Sequence, residues 1–341
     1  MLVTVENVAL EVVTACVSKI RVPIEERLKN IATDKKISRL KKSTGFDAFS
    51  IGENICASDY CAAAAENLFA ETSIKREEIG AVIFVTQTPD YFLPATSHLL
   101  HTRLGLPRDC AAFDVGLGCS GFVYGVYIAA SLAQNIDKKV LLLCGDTVTR
   151  DIFEEDLSGL SIFGDAGSAT IVSKHQGQKI FFNLQTFGEL SDAIIMRRGA
   201  YRNPFIVENN SLNVHENFSS MDGIEVMNFS TTYVPDNLID LMKFAKVELS
   251  EIGGVILHQA NLMIVRDIAA RLNLTLEKVP FKSARIGNTS SASIPVTLCE
   301  MKRLGENVNF LSALSGFGVG MSLASAIVDL KNLICLSTGE I

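Results

Sequence analysis

The two halves of the chain repeat one pattern of residues, and this repetition limits the fold more than any other feature. Residues 78–83 read EIGAVI and residues 251–256 read EIGGVI, 173 positions apart in a chain of 341 residues. In both halves a Leu-x-Leu, a phenylalanine and a run of small residues follow. FGDAGSATIV (163–172) and FGVGMSLASAIV (317–328) come next in the same order. Ordered correspondences of this kind predict two copies of one supersecondary unit.

Each copy alternates helical segments with short apolar ones. Segments 59–77 and 231–247 have the apolar spacing of helices, and the apolar strands Ala81–Thr86 and Gly254–His258 follow them. Continuous apolar strands that alternate with helices indicate mixed sheets covered on both faces. The sequence therefore predicts a duplicated α/β fold with five layers, α-β-α-β-α.

No linker rich in Pro, Gly or Ser separates the halves, so we expect 1–173 and 174–341 to pack closely together. Hydrophobic residues make up 48% of the chain and charged residues 20%, which indicates a globular protein with ample core material. The net charge of −7 argues against broad nucleic-acid binding but leaves room for a local basic patch that binds an acidic carrier protein.

The scattered cysteines, together with the lack of a membrane span or signal-peptide pattern, lead us to expect a cytoplasmic protein. No run approaches the length of a membrane span, and the first residues lack the pattern of a signal peptide. The eight cysteines form no CxxC pair and have no histidine at zinc-ligand spacing, so we expect reduced thiols and no metal site. Seven of them are interpreted as small buried hydrophobes.

Cys119 is the exception, because of the residues around it in the stretch DVGLGCSGFVYGVYIAASL. Asp114 ends a strand, and Gly116 and Gly118 permit a sharp turn before a long apolar helix. The N-terminus of a helix has unpaired N–H groups and a positive dipole end, which lower the pKa of a thiol and favour the nucleophilic thiolate. The motif alone is equally consistent with a packed cysteine in a central helix.

A histidine and an asparagine occupy comparable positions in the second half. His258 follows the strand Val255–Leu257, where it can serve in acid/base chemistry or be a buried structural histidine. Asn288 lies in a turn that is the repeat's twin of the Cys119 turn. If a pseudo-twofold axis relates the halves, Asn288 approaches Cys119; otherwise it simply caps its helix.

A glycine-rich turn, GFGVG at 316–320, lies between two apolar strands. Glycine allows the backbone to approach a ligand closely with its amides turned inward. Turns of this kind are common in hairpins, so the pattern by itself is weak evidence for a site.

Together these motifs resemble the β-ketoacyl-acyl-carrier-protein synthase III family of the thiolase superfamily. HQAN at 258–261 and GNTSSASIP at 287–295 are the most specific, and FGDAGSA at 163–169 and GFGVG are consistent with them. The resemblance extends from about Thr44 to Val328. The chalcone-synthase relatives carry an HPGG-like motif in place of HQAN, which disfavours them.

The resemblance implies a role for each of these residues. Cys119 takes the acyl group from a thioester, and the backbone N–H groups of Cys119 and Val319 form the oxyanion hole. His258 and Asn288 stabilise the enolate that forms when a malonyl thioester loses carbon dioxide. A decarboxylative Claisen condensation with the acyl group on Cys119 follows. No metal or organic cofactor is implied.

The resemblance also implies the partners of the protein. They are acyl thioesters of CoA or acyl carrier protein, and malonyl-acyl carrier protein. The family forms homodimers in which a loop of one subunit completes the acyl pocket of its partner. Residues 90–94 match that loop, and Phe92 and Leu93 are the predicted acyl-pocket residues.

Several positions depart from the family pattern. Members primed by acetyl-CoA hold the adenine between a Trp and an Arg, but this chain has no Trp, and Arg39 and Leu157 are the matching positions. Met263 stands where an Arg often docks the carrier protein, and Asn228 where a Lys is common. We therefore expect a specialised member, serving secondary-metabolite or glycan pathways, with weak use of acetyl-CoA.

Two other functions fit the same residues. In one of these functions, the enzyme passes the acyl group on Cys119 to a hydroxyl or an amine without decarboxylation. In the other, the chain is a non-catalytic partner subunit. Release of carbon dioxide separates the first from a condensing enzyme, and a covalent acyl adduct excludes the second.

Overall fold

The computed structural model describes residues 1–205 and 214–341. In these residues the chain forms fourteen strands: β1 (Leu2–Val17), β2 (Arg21–Pro23), β3 (Ala48–Ser50), β4 (Ile79–Val85), β5 (Ala111–Val115), β6 (Lys139–Asp146), β7 (Ala166–Thr186), β8 (Ile194–Met196), β9 (Ser219–Met221), β10 (Gly254–Leu257), β11 (Leu311–Gly318), β12 (Ser322–Asp329), β13 (Ile334–Cys335) and β14 (Gly339–Glu340).

The same part of the chain contains nine α-helices: α1 (Ile24–Leu28), α2 (Asp34–Thr44), α3 (Ala57–Glu71), α4 (Thr96–Arg103), α5 (Gly121–Ala133), α6 (Leu157–Leu160), α7 (Gly223–Ala245), α8 (Leu262–Arg271) and α9 (Ser293–Arg303). Short 3₁₀ helices occupy Arg76–Glu78, Val148–Asp151, Gly188–Ala193, Val214–Asn217, Leu249–Glu251 and Ser290–Ala292.

Ten of the strands form one mixed sheet whose two ends repeat the same order. At one end the order is β5-β4-β6-β7, with β4 and β6 parallel and β6 and β7 antiparallel. At the other end it is β10-β11-β12-β7, with β10 and β11 parallel and β11 and β12 antiparallel. On the outer edge of β10, the Val255 N–H donates to the Lys278 carbonyl. At the other end of the sheet, β5 occupies the corresponding edge of β4.

The long strands β1 and β7 join the two ends of the sheet. The first part of β7 pairs with β6 and the last part with β12, while β1 runs antiparallel along it from Leu2↔Asn183 to Val17↔Ala166. The predicted boundary between residues 173 and 174 falls inside this strand. The division of the chain at that point stays a prediction.

The helices lie in three layers around the sheet. The apolar helices α5 and α9 belong to one core cluster with β1, β6 and β12, between the two ends of the sheet. Helices α3 and α4 cover one outer face and α7 and α8 the other. A helix buried on all sides needs apolar residues on every face, which the α5 sequence GFVYGVYIAASLA supplies.

The mixed α/β fold predicted from the sequence is confirmed. The expected strands Ala81–Thr86 and Gly254–His258 span Ile79–Val85 and Gly254–Leu257. The expected helices match less closely, because the one at 59–77 ends at Glu71 and the one at 231–247 begins at Gly223. Within residues 1–205 and 214–341, no helix combines the length and apolar character needed to cross a membrane.

Candidate active site

Cys119 lies in a tight turn between β5 and α5. The first helical residue is Gly121, and its N–H donates to the Gly118 carbonyl at 2.7 Å. A Cβ on Gly118 would displace the Gln87 amide and would lie 3.0 Å from the Ser290 hydroxyl. Glycine therefore suits the position directly before the cysteine.

The twin turn before α9 places Asn288 beside the first half of the chain. Gly287 has a φ of 89°, a backbone conformation that favours glycine. The Asn288 N–H donates to the Ile162 carbonyl at 2.9 Å, and its own carbonyl accepts from the Gly164 N–H at 3.0 Å. Asn288 Oδ1 accepts from the Ser290 N–H, and in the described residues its Nδ2 group makes no hydrogen bond.

His258 follows β10 and is buried. Its backbone N–H donates to the Ser315 carbonyl, and its ring Nδ1 lies 2.6 Å from Ser293 Oγ at the start of α9. The edge of the ring meets Phe317, with the two ring centroids 5.4 Å apart. Burial lowers the pKa of His258 to about 3, against a smaller opposing effect of the Ser290 carbonyl, so the imidazole is neutral at ordinary pH.

The turn between β11 and β12 brings Val319 to the sulfur atom of Cys119. A Cβ on Gly318, whose φ is 150°, would lie 2.8 Å from Cys119 Sγ, so only glycine fits there. The Val319 N–H and the N–H of Cys119 itself both lower the pKa of the thiol. Val319 and Cys119 also line the same cavity, and their role as an oxyanion hole stays a prediction.

The expected depression of the Cys119 pKa is wrong. Burial raises the pKa of this thiol to about 11, and the Asp146 carboxylate acts in the same direction. Backbone N–H groups and the Ser290 hydroxyl oppose the rise without cancelling it. Cys119 precedes α5 by two residues, next to the helix start that the sequence predicts.

A cavity of about 60 Å³ opens beside the sulfur atom. Twelve residues from both halves line it: Gln87, Cys119, Val148, Ile152, Asp156, Gly159, Phe163, Ile194, Ser219, Met221, Ser290 and Val319. Phe92 and Leu93, the predicted acyl-pocket residues, are not among them. Their side chains are 70% and 80% exposed, so this single chain does not bring them to Cys119.

A buried carboxylate that the sequence patterns did not single out joins the two halves of the chain. Asp146, at the end of β6, accepts from the Gln87 N–H at 2.7 Å and from the Ser291 hydroxyl at 2.7 Å. It also accepts from the Ser291 N–H. Its position at the end of an apolar strand was the available signal, but its partners at 87 and 291 could not be read from spacing.

The positions that depart from the family pattern lie around α2 and α6. Leu157 packs in an apolar cluster with Ile37 of α2, next to Phe46 and Phe49. Arg39 is exposed on α2. Met263 is 41% exposed near the start of α8. Leu157 therefore contributes packing where a guanidinium would present a planar fork.

Among the described residues, the arrangement of the side chains gives no indication of a metal site. In the described part of the chain, His, Cys, Asp and Glu side chains form no group of three or more that could hold a metal ion. The polar groups that do converge are a thiol, an imidazole, an amide and backbone N–H groups. This set suits covalent capture of a carbonyl compound and hydrogen bonding to a developing oxyanion.

Two sequence models of known families match the chain. The one described as 3-oxoacyl-[acyl-carrier-protein (ACP)] synthase III matches residues 113–188, and the one described as the C-terminal part of the same synthase matches residues 242–330. The first range contains Cys119, and the second contains His258, Asn288 and Val319.

Relatives named as synthases of this kind resemble the chain over most of its length. A Campylobacter jejuni protein, provisionally named 3-oxoacyl-[acyl-carrier-protein] synthase 3, is 35% identical over 92% of this chain and 91% of that protein. The β-ketoacyl-[acyl-carrier-protein] synthase III of Latilactobacillus sakei is 30% identical over 85% of this chain and 90% of its own.

A solved structure shows the same fold. The crystal structure of a 3-oxoacyl-(acyl-carrier protein) synthase from Burkholderia xenovorans superposes with a TM-score of 0.93 at 30% identity. The superposition covers 100% of this chain and 99% of that one. The resemblance in three dimensions thus extends over both repeats and the shared sheet.

Proposed function

The chain belongs to the 3-oxoacyl-[acyl-carrier-protein] synthase III family of the thiolase superfamily and is an acyl-transferring condensing enzyme, and from this premise we propose that it condenses an acyl group held on Cys119 with a malonyl thioester. The observation that carries the proposal is the convergence at one sulfur atom. Cys119, Val319 and Ser290 line one cavity, and the backbone N–H groups of Cys119 and Val319 lower the pKa of the thiol. The Ser290 N–H donates to Asn288 Oδ1, and the Ser290 carbonyl raises the pKa of His258.

The first step loads the acyl group. Cys119 Sγ attacks the carbonyl carbon of an acyl thioester, and the N–H groups of Cys119 and Val319 donate to the oxyanion. The carbon–sulfur bond to the carrier then breaks, and the departing thiolate takes up the proton that the Cys119 thiol has lost. A preorganised donor of this kind contributes roughly 3 kcal/mol to catalysis in comparable sites.

The second step makes the new carbon–carbon bond. His258 and Asn288 Nδ2 donate to the thioester oxygen of the malonyl group, so charge can accumulate there when carbon dioxide leaves. The enolate carbon attacks the acyl carbonyl, and the Cys119 thiolate leaves. In this step Ser293 Oγ–H donates to His258 Nδ1. The proton of the neutral imidazole is then on Nε2, the atom that donates to the thioester oxygen of the malonyl group.

The carrier of the malonyl group is proposed to approach over α2. Lys35, Lys36, Arg39 and Lys42 are exposed on this helix, and none of them forms an ion pair within residues 1–205 and 214–341. Ile37 of the same helix packs against Leu157 of α6, and Gly159 of α6 lines the cavity. A basic surface beside the cavity suits an acidic carrier protein, although the whole chain is acidic.

The cavity and the exposed loop favour a short acyl group and a homodimer. A volume of about 60 Å³ holds roughly four or five water-sized groups. Tyr91, Phe92 and Leu93 form an exposed apolar patch of the kind that marks an interface between chains. We place this loop against the acyl pocket of a second copy.

The experiment that tests the function combines mass and product. The protein is incubated with a panel of acyl thioesters, and peptide mapping locates the adduct; then carboxyl-labelled malonyl-acyl carrier protein is added and labelled carbon dioxide is collected. We expect acylation of Cys119, release of carbon dioxide, and loss of both in Cys119→Ser, but not in the control variant Cys56→Ser. Acylation without decarboxylation would instead support transfer to a hydroxyl or amine, and no adduct would support a non-catalytic subunit.

A further inference from the structure

Ser290 is connected with all three residues of the proposed active site, through one hydrogen bond and through its effect on two pKa values. Its N–H donates to Asn288 Oδ1 at 2.9 Å. Its carbonyl raises the pKa of His258, and its hydroxyl lowers the pKa of Cys119. The residue is only 2% exposed, and it lines the cavity at the sulfur atom.

The hydroxyl of Ser290 has no hydrogen-bond partner, although it is buried. The Ser290 Oγ atom is shielded from solvent and makes no hydrogen bond in the described residues. It lies 3.0 Å from the place that a Cβ on Gly118, the neighbour of Cys119, would occupy, and Ser290 and Cys119 line the same cavity. The hydroxyl also lowers the pKa of both Asp146 and Cys119. Buried polar groups almost always have a partner, so an unpartnered hydroxyl at this cavity is available to a group that reacts there.

The backbone of Ser290 is a second, independent sign of function. Its φ is 49°, in the left-handed region that serine rarely adopts and glycine adopts readily. Such conformations are retained mainly where the surrounding structure enforces them, and they cluster at active sites. A serine is present although glycine would relieve the backbone strain, which points to a role for the hydroxyl.

We propose that Ser290 is a further catalytic residue, whose hydroxyl donates a hydrogen bond to the Cys119 thiolate as it forms and withdraws it once the sulfur is acylated. The proposal rests on the function proposed above, in which Cys119 is the nucleophile. It assigns to Ser290 a role in the ionisation of Cys119 and in its departure after condensation.

The charges around the sulfur explain why such a donor is needed. No cation is among the groups that shift the pKa of Cys119 most, and Asp146 disfavours the thiolate. Asp156 also lines the cavity, and His258 is neutral at ordinary pH. Only hydrogen-bond donors are left to stabilise a negative sulfur.

The backbone donors cannot serve the sulfur throughout the reaction. The N–H groups of Cys119 and Val319 lower the pKa of the thiol, but the proposed oxyanion requires the same two groups after attack. A hydroxyl can rotate, whereas an amide is fixed in its turn. The Ser290 hydroxyl, which makes no hydrogen bond within the described residues, can therefore turn to the thiolate at the moments when the sulfur carries charge.

Two substitutions separate the hydroxyl from the backbone. Ser290→Gly and Ser290→Ala both remove the hydroxyl, but only glycine suits a φ of 49°. We expect both variants to raise the pKa of Cys119 by about one unit, which slows its alkylation by iodoacetamide at pH 8 about tenfold. The melting temperature should fall in Ser290→Ala and not in Ser290→Gly. Asn273→Gly, at a surface residue with a φ of 55°, is the matched control and should leave the alkylation rate unchanged.

The outcome distinguishes this inference from the proposed function. Peptide mapping first establishes which thiol the reagent labels. A label on another cysteine overturns the nucleophile assignment and, with it, the role of Ser290. A label on Cys119 at wild-type rate in both variants overturns the role of Ser290 alone. Slow alkylation only in Ser290→Ala would also contradict the proposal, because the effect would then follow the backbone and not the hydroxyl.

Discussion

Replacing His258 with asparagine should remove a large part of the protein's sensitivity to acid. The imidazole is 1% exposed, and burial lowers its pKa to about 3, whereas an unfolded histidine has a pKa of about 6.5. The unfolded chain therefore binds this proton more readily than the folded chain. Folded stability is fully present above pH 6.5 and is lost as the pH falls from 6.5 towards 3.

The size of the effect follows from the pKa difference. Each pH unit below 6.5 costs about 1.4 kcal/mol of folding free energy, so a change from pH 7 to pH 5 costs about 2 kcal/mol. Asp151 and Asp165 act in the opposite direction, because burial raises their pKa values to about 6. Their contribution is present at low pH and is lost as the pH rises through 6, so only a comparison with a variant isolates His258.

Asparagine is the suitable replacement because its Oδ1 atom can accept the hydrogen bond that Ser293 Oγ makes with Nδ1 of the ring. Urea unfolding of the wild type and of His258→Asn is measured at pH 7, 6 and 5. We expect the wild type to lose about 2 kcal/mol relative to the variant between pH 7 and pH 5. Parallel stability curves over this range would show that the imidazole is not held in its neutral form by burial.

Two predictions concern the carriers. The double substitution Lys35→Glu and Lys36→Glu on α2 should raise KM for malonyl-acyl carrier protein about tenfold at low salt and leave KM for malonyl-CoA unchanged. Lys331→Glu, between β12 and β13, is the control. An equal effect on KM for both substrates would contradict docking on α2. Because the chain has no Trp and carries Leu157 at the arginine position, priming by acetyl-CoA should lack contacts worth roughly 2 to 4 kcal/mol, about 30- to 1000-fold in affinity. A kcat/KM for acetyl-CoA at or above about 10⁴ M⁻¹s⁻¹ would refute this expectation.

The repeated sequence pattern was sufficient to predict the layers and the main elements of the fold. The segments EIGAVI and EIGGVI lead into β4 and β10, which occupy matching places at the two ends of the sheet. Periodicity and apolar runs are local signals, and these elements depend mainly on such signals. The pairing of β1 along the whole of β7 joins residues more than 140 positions apart, and no local pattern indicates it.

The electrostatic state of the site was beyond the reach of sequence patterns. A cysteine near a helix start predicts a low thiol pKa, but here burial has the larger effect and raises it. Burial depends on what packs over the turn, and Gly318, Ser290 and Gln87 come from three distant segments. The left-handed backbone of Ser290 was equally hidden, because serine is not a residue that predicts a positive φ.

Duplication also explains why two similar turns serve one site. The Cys119 turn and the Asn288 turn occupy matching positions in the repeat, but one provides a nucleophile and the other an amide. His258 comes from the end of β10, and the matching strand in the first half, β4, ends near Thr86. Asp146 of the first half accepts hydrogen bonds from the Gln87 N–H after β4 and from the Ser291 hydroxyl in the second half, so one buried carboxylate joins the two halves beside the Asn288 turn. That carboxylate also raises the pKa of Cys119. The group that aligns the halves thus opposes the ionisation of the nucleophile, and hydrogen-bond donors beside the sulfur are the means by which the chain offsets this effect.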